Sequence, residues 1–398
     1  MDPPTGLDTT SLRHVVAVLC VTQIISWGVL TYTLPVLAPT IAEETGWSLT
    51  SVVAAFTWSQ LVAAGFSIVV GRAIDSHGPR HVMTGGAIVG VAGLVGIASA
   101  PDLVTFTIAW AVVGASMSAV LYPPAFAAVT EWGGPHRVRA LTALTLVGGF
   151  ASTVFAPLAA FLVGPLGWRN TYLVLAALLV LTVPLLWWAL HHPWRPHRHV
   201  DGRTPDPAAE RRAEYASTLR TRRFIGLVAA LTLTGFAQRA VVFVLVPLVV
   251  ERGLSIQAAA FALGGVGVGQ VCGRLGYAPL AARYDTGGRT RIVFVAVAGT
   301  TLALAVVPGP AAVLFALAFA SGIARGAYTL IQATAVADRW GTAAYASLNG
   351  VISAVLLVAG AFAPWIGTAL AGGVGGYAPA FAVLAAIGAV GVIVSPRA

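Results

Sequence analysis

Three arginines stand where a charged side chain is costly. Arg239, Arg274 and Arg325 each fall inside a long apolar run, and a charge at the centre of a membrane span costs about 2.5–3.5 kcal/mol on insertion scales. Counted along those runs at ~1.5 Å per residue, Arg239 and Arg325 reach the midplane, whereas Arg274 lies nearer the inner end. A guanidinium does not shed its proton to escape burial, and its planar fork matches a carboxylate or a phosphate. No Asp or Glu lies at comparable depth in any run, since Glu131, Glu251 and Asp338 stand at run ends. The simplest partner for these charges is a bound anion. Each arginine also has a structural alternative: Arg274 can snorkel to the interface, Arg239 can bond carbonyls of a kinked neighbour, and Arg325 can bond Gln332 or Tyr328.

Other polar residues in apolar runs join the candidate site. Gln270 precedes Arg274 by one helical turn and is expected to assist it. Gln23, Trp27 and Tyr32 in the first run, Tyr122 in the fourth and Asn349 in the eleventh can hydrogen-bond to a ligand, stack on it, or join helices. Tyr122-Pro123-Pro124 marks a kink. Cys20 and Cys272 both fall in apolar runs and are read as reduced, packed thiols. His191, His192, His197 and His199 cluster in a hydrophilic segment, where a solvated face is favoured over a metal site. No cofactor is implied.

The elements that must position these residues follow from composition. The chain has 398 residues, 58% hydrophobic and 9% charged, with a mean hydropathy of +0.85, whereas soluble domains run at about a quarter charged. Only an all-α polytopic membrane protein accommodates that balance. Runs of about 20 residues number about twelve: six lie between 14 and 190 and six between 224 and 395. This predicts an N-terminal six-helix bundle over 1–190, a linker over 191–223 and a C-terminal six-helix bundle over 224–398. The linker carries Arg195, Arg198, Arg203, Arg211, Arg212, Arg220, Arg222 and Arg223 and has room for a short amphipathic helix.

All 23 basic residues are arginine, and the net charge is +9. Without a soluble basic face that charge does not point to nucleic acid. It does orient the chain: with both termini cytoplasmic, nearly every arginine between runs falls inside, and only Arg169 and Arg252 fall outside. The first run follows a short polar N-terminus without a cleavage pattern and reads as a retained helix.

The sharpest motif is the polar stretch Gly71-Arg-Ala-Ile-Asp-Ser-His-Gly-Pro-Arg80, read as a tight turn between two runs, with Pro79 stopping the helix. Asp285-Thr-Gly-Gly-Arg289 repeats it in the second half. Pro35 and Pro247, Phe155-Ala-Pro157 and Phe362-Ala-Pro364, and Val174-Leu-Ala-Ala177 and Val383-Leu-Ala-Ala386 correspond at offsets of 207 to 212 residues. Ordered matches at a near-constant offset indicate two parallel repeats.

With two six-helix halves, a central linker and this loop, the chain resembles the major facilitator superfamily. Gly71, Asp75, Gly78 and Arg80 match that family's loop motif, while Ala73, Ser76 and Pro79 depart from it. The resemblance implies that Asp75 and Arg80, echoed by Asp285 and Arg289, form a charge relay between helix ends that steadies the outward-facing state. Ser26-Trp-Gly28 and Gln270-x-x-x-Arg274 resemble parts of motifs in the monocarboxylate and oxalate porter branch, where the arginine binds the substrate carboxylate. Ile24 and Gln270 stand where that branch has acids.

These residues lead to a secondary active transporter in the cell membrane that moves a small organic anion. It is expected to be monomeric, with a proton or a counter-anion as coupled species. The alternative is an efflux transporter for amphipathic drugs or metabolites, in which the arginines are structural and the aromatics select. A membrane sensor would need a larger soluble domain. No nucleophile, acid–base set or metal motif at membrane depth supports an enzyme.

Overall fold

The apolar runs become helices because in lipid only a helix satisfies every backbone N–H and C=O within its own segment. The computed structural model describes residues 7–194, 215–342 and 344–395, and among them there is no strand. Arg195, Arg198, Arg203, Arg211, Arg212, His197, His199 and Arg397 lie outside the described residues, while within the expected linker residues 215–219 are helical. Ten stretches are long and apolar enough to cross a membrane. One of them, Gly134–Ala189, spans 56 residues and is broken at Gly167, whose φ of 70° no helix tolerates. Counting it as two and adding Ile256–Leu275 gives twelve spanning helices among the described residues.

In chain order the helices are α1 (Thr9–Thr45), α2 (Leu49–His77), α3 (Pro79–Ser99), α4 (Leu103–Trp132), α5 (137–166), α6 (168–189), α7 (Arg222–Glu251), α8 (Ile256–Leu275), α9 (Thr286–Val306), α10 (Ala311–Thr334), α11 (Tyr345–Val374) and α12 (Tyr377–Val394). Asp8, Ser48, Asp102, Thr221, Ser255 and Asp285 cap the N-termini of α1, α2, α4, α7, α8 and α9. The Gly71–Arg80 stretch is not a turn throughout. Residues 71–77 continue α2, and the reversal is confined to Gly78 at φ 80°. Pro79 then opens α3 rather than merely stopping α2, since a first-turn proline gives up only an N–H that has no helical partner.

The described residues fall into two compact units, one within Met1–Arg211 and Trp340–Leu357, the other within Arg212–Arg339 and Val358–Ala398. In the first, Phe106, Trp110, Trp168 and Tyr172 form a buried ring of edge-to-face contacts with centroids 6.2–6.4 Å apart. The first half of α11 belongs to this unit because it lies directly on α2. A Cβ on Gly71 would fall on the Ala346 carbonyl, and one on Gly350 on the Ser67 carbonyl.

In the second unit, Val244, Leu245 and Leu248 of α7 pack with Leu304 of α9, Phe381 and Leu384 of α12 and Val266 of α8. The seam between α8 and α10 is made of small residues: a Cβ on Gly269, Gly273, Gly322 or Gly326 would meet the main chain of the facing helix. This close approach gains dispersion and costs little side-chain entropy where lipid provides no hydrophobic drive. It also explains a difference from expectation at Cys272. With Gly269 and Gly273 on the packed face, Cys272 is turned away and exposed, whereas Cys20 is buried.

Candidate functional site

The second unit carries the arginines. Arg239 lies on α7, Arg274 on α8 and Arg325 on α10. Arg274 is in the last turn of α8 and only 7% exposed, so its charge also faces the negative end of the helix dipole. Arg325 Nη1 donates to the Gln238 carbonyl of α7 at 3.0 Å. Arg239, the next residue along α7, lays its guanidinium against Gly360 of α11, where any side chain would collide with it. On the same helix as Arg325, the Tyr328 hydroxyl donates to the Leu231 carbonyl of α7 at 2.6 Å. Gly235 leaves room for that ring.

Arg325 is thus brought to the residue next to Arg239. Arg274 and Gln270 join them through the α8–α10 seam, where Gly326, next to Arg325, lies on the Gln270 main chain. One bond of Arg325 goes to a main-chain carbonyl.

Gln23, Trp27, Tyr122 and Asn349 fall in the first unit. The Trp27 ring packs on Tyr122 with centroids 4.9 Å apart and reaches Tyr32 at 6.3 Å, and Tyr122 stacks on Phe126 at 5.0 Å. Gln23 Nε2 donates to the Val120 carbonyl at 2.6 Å, at the break in α4 before Tyr122 and the two prolines. Trp27 opens onto a π-helical turn, Gly28–Tyr32, a distortion frequent at functional sites. Gly28 is pressed on the Phe155 ring. Gln23 Oε1, Ser26 Oγ, Trp27 Nε1 and Asn349 Oδ1 are buried with no hydrogen-bond partner among the described residues.

The residues assigned to conformational control make helix-end contacts. The Asp75 carboxylate accepts from Ala346 N at 3.1 Å and Ser347 N at 2.7 Å, capping the first turn of α11. Arg80 does the converse: its Nε donates to the Trp187 carbonyl at 2.9 Å near the C-terminus of α6, with the guanidinium stacked 3.8 Å from the Trp187 ring. The second copy has diverged. Asp285 accepts from Gly287 N and Gly288 N of its own helix at 3.2 and 3.4 Å, and Arg289 pairs with Asp338. Beside that pair, Arg339 donates to Thr290 Oγ1 at 3.1 Å. Burial holds its pKa below the ordinary arginine value against the opposing pull of Asp338.

One residue was passed over by sequence reasoning. Gln238 stands beside Arg239 in the seventh apolar run. Its Oε1 is buried with no hydrogen-bond partner among the described residues. Only its surroundings distinguish it.

Comparison with known proteins gives the class of this helical membrane protein. Residues 19–310 match the model of the Major Facilitator Superfamily, and the chain belongs to that family: it is a transporter, not an enzyme. It is 26% identical to mouse monocarboxylate transporter 11 over 330 residues, which are 79% of this chain and 71% of the relative. Among solved structures, it superposes on a major facilitator superfamily transporter, FucP, in the outward conformation, with a TM-score of 0.75 at 18% identity, over 97% of this chain and 98% of the other. The human organic anion transporter MFSD10 gives a TM-score of 0.72 at 17% identity, over 97% and 99%. These likenesses bear out the fold expected from two six-helix repeats.

Proposed function

We propose that this transporter moves a small monocarboxylate-like organic anion by alternating access, and that Arg274, Gln270, Arg239 and Arg325 hold its anionic group. The observation that supports the reading is the hydrogen bond from Arg325 to the carbonyl of Gln238, the neighbour of Arg239, with Arg274 on the helix packed against α10. Arginines held at membrane depth on facing helices are functional by default. The distant likeness to a monocarboxylate transporter agrees with it. No mid-span carboxylate carries a proton, so coupling runs by anion exchange, or by symport with the proton on the substrate. Both termini are taken to be cytoplasmic, in agreement with the arginine distribution, and the protein to act as a monomer in the cell membrane.

A ligand panel on the purified protein tests this. Small carboxylates raise the melting temperature of the wild type and not that of Arg274→Gln, while hydrophobic cations leave both unchanged. Stabilisation by hydrophobic cations alone would instead establish an amphipathic-drug exporter.

A further inference from the structure

The orphan acceptor beside the arginine pair says more about the substrate than the arginines do. A buried amide oxygen without a hydrogen bond is destabilising, and native proteins keep few of them. Gln238 Oε1 is such an atom. The same residue's carbonyl holds Arg325 at 3.0 Å, and the next residue is Arg239. Tyr328 cannot supply the missing donor, because its hydroxyl hydrogen is committed to the Leu231 carbonyl at 2.6 Å. A carboxylate on the guanidiniums brings no proton donor of its own. A hydroxyl on a carbon close to that carboxylate does.

The first repeat supports a ligand role for this position. At the 212-residue offset that relates Pro35 to Pro247, Gln238 corresponds to Ser26 and Arg239 to Trp27. Among the described residues, Ser26 Oγ and Trp27 Nε1 are likewise buried without a partner. At Ser26 and at Gln238, the same point of the first helix in each copy, a buried polar atom thus lacks a partner among the described residues. Packing defects would not be expected to recur in register between two diverged repeats.

We infer that Gln238 is a specificity-determining residue whose Oε1 accepts a hydrogen bond from a hydroxyl near the carboxylate, so that the transporter selects hydroxycarboxylates over the matching keto and unsubstituted acids. This rests on the anion reading above. A site built to bond a hydroxyl discriminates strongly against analogues lacking it, because its own polar atom is then left buried and unpaired. Gln238→Met keeps the length and volume of the side chain and removes the acceptor.

The test is competition for uptake by the full chain in proteoliposomes, using butanoate, 2-oxobutanoate, 2-hydroxybutanoate and 3-hydroxybutanoate against the wild type and Gln238→Met. The expected result is that one hydroxybutanoate competes at least about tenfold better than butanoate and 2-oxobutanoate in the wild type. In Gln238→Met that preference collapses to within about twofold while butanoate transport persists. Thermal stabilisation of the purified proteins by the same four acids gives a second readout, so a variant impaired in transport still reports on binding. A wild type that handles the four acids alike, or a variant that keeps the hydroxyl preference, overturns the inference and leaves the anion reading standing. A wild type that binds and moves none of them overturns both.

Discussion

Asp75 shows how much a single carboxylate can do when it reaches another helix. Its two oxygens take two N–H groups of the first turn of α11, 271 and 272 residues away, where the partial positive charge of the helix dipole favours an anion. Asp285 occupies the corresponding place in the second repeat but caps only its own helix. Asp75→Asn is therefore expected to slow transport several-fold, with Asp285→Asn staying within about twofold of wild type. Equal effects of the two in one uptake assay would show that the long-range cap is not the functional one. The same logic explains the two arginines that break the charge asymmetry of the loops. Arg169 donates to the Ala98 and Ala100 carbonyls at the end of α3, and Arg252 to the Leu304 and Ala305 carbonyls at the end of α9. They cap equivalent helices of the two repeats, so their position is set by carbonyls left over at a helix end.

At the scale of elements, helices were legible from hydropathy and their interfaces were not. The twelve runs stand out because lipid imposes length and apolarity on each span separately. Where two spans touch depends on which glycines meet which carbonyls, and a glycine on the seam looks in sequence like any other. Gly273 meets the Ile323 carbonyl, whereas Gly85 has open space where its Cβ would be. Gly273→Leu is expected to abolish the monodisperse peak in size-exclusion chromatography, and Gly85→Ala to leave it intact. The buried Arg289–Asp338 pair is the polar counterpart of that seam, with side-chain exposures of 11% and 6%. Removing one partner of a buried pair costs about 3 kcal/mol. Asp338→Asn should therefore lower the melting temperature by several degrees in a thermal scan, and an unchanged transition would mean the pair contributes little.

For the whole molecule, duplication was readable from ordered sequence matches, but the repeats are not functional equals. The embedded arginines lie in the second unit, and the first carries the Trp27–Tyr122 aromatic contact and the π-helical turn at Gly28–Tyr32. The division of α11 had no sequence signal, because the contacts drawing residues 340–357 to the first unit are made by main chain at Ala346, Ser347 and Gly350. Gln238 was illegible for a related reason: an orphan acceptor is defined by what surrounds it. Gln23, Trp27, Tyr122 and the three arginines could be named in advance, because polar and aromatic side chains in apolar runs are few.

In the proposed function Arg239 and Arg325 bind the substrate's negative charge, a role that decides whether the substrate is an anion. It is tested most directly by uptake of a radiolabelled carboxylate into proteoliposomes, comparing the wild type with the Arg239→Gln/Arg325→Gln double variant at equal amounts of correctly folded protein. The expected result is saturable carboxylate uptake by the wild type and loss of at least about 90% of it in the double variant, each missing charge-assisted bond being worth about 1.5–3 kcal/mol. Carboxylate uptake at the wild-type rate in the double variant would contradict it.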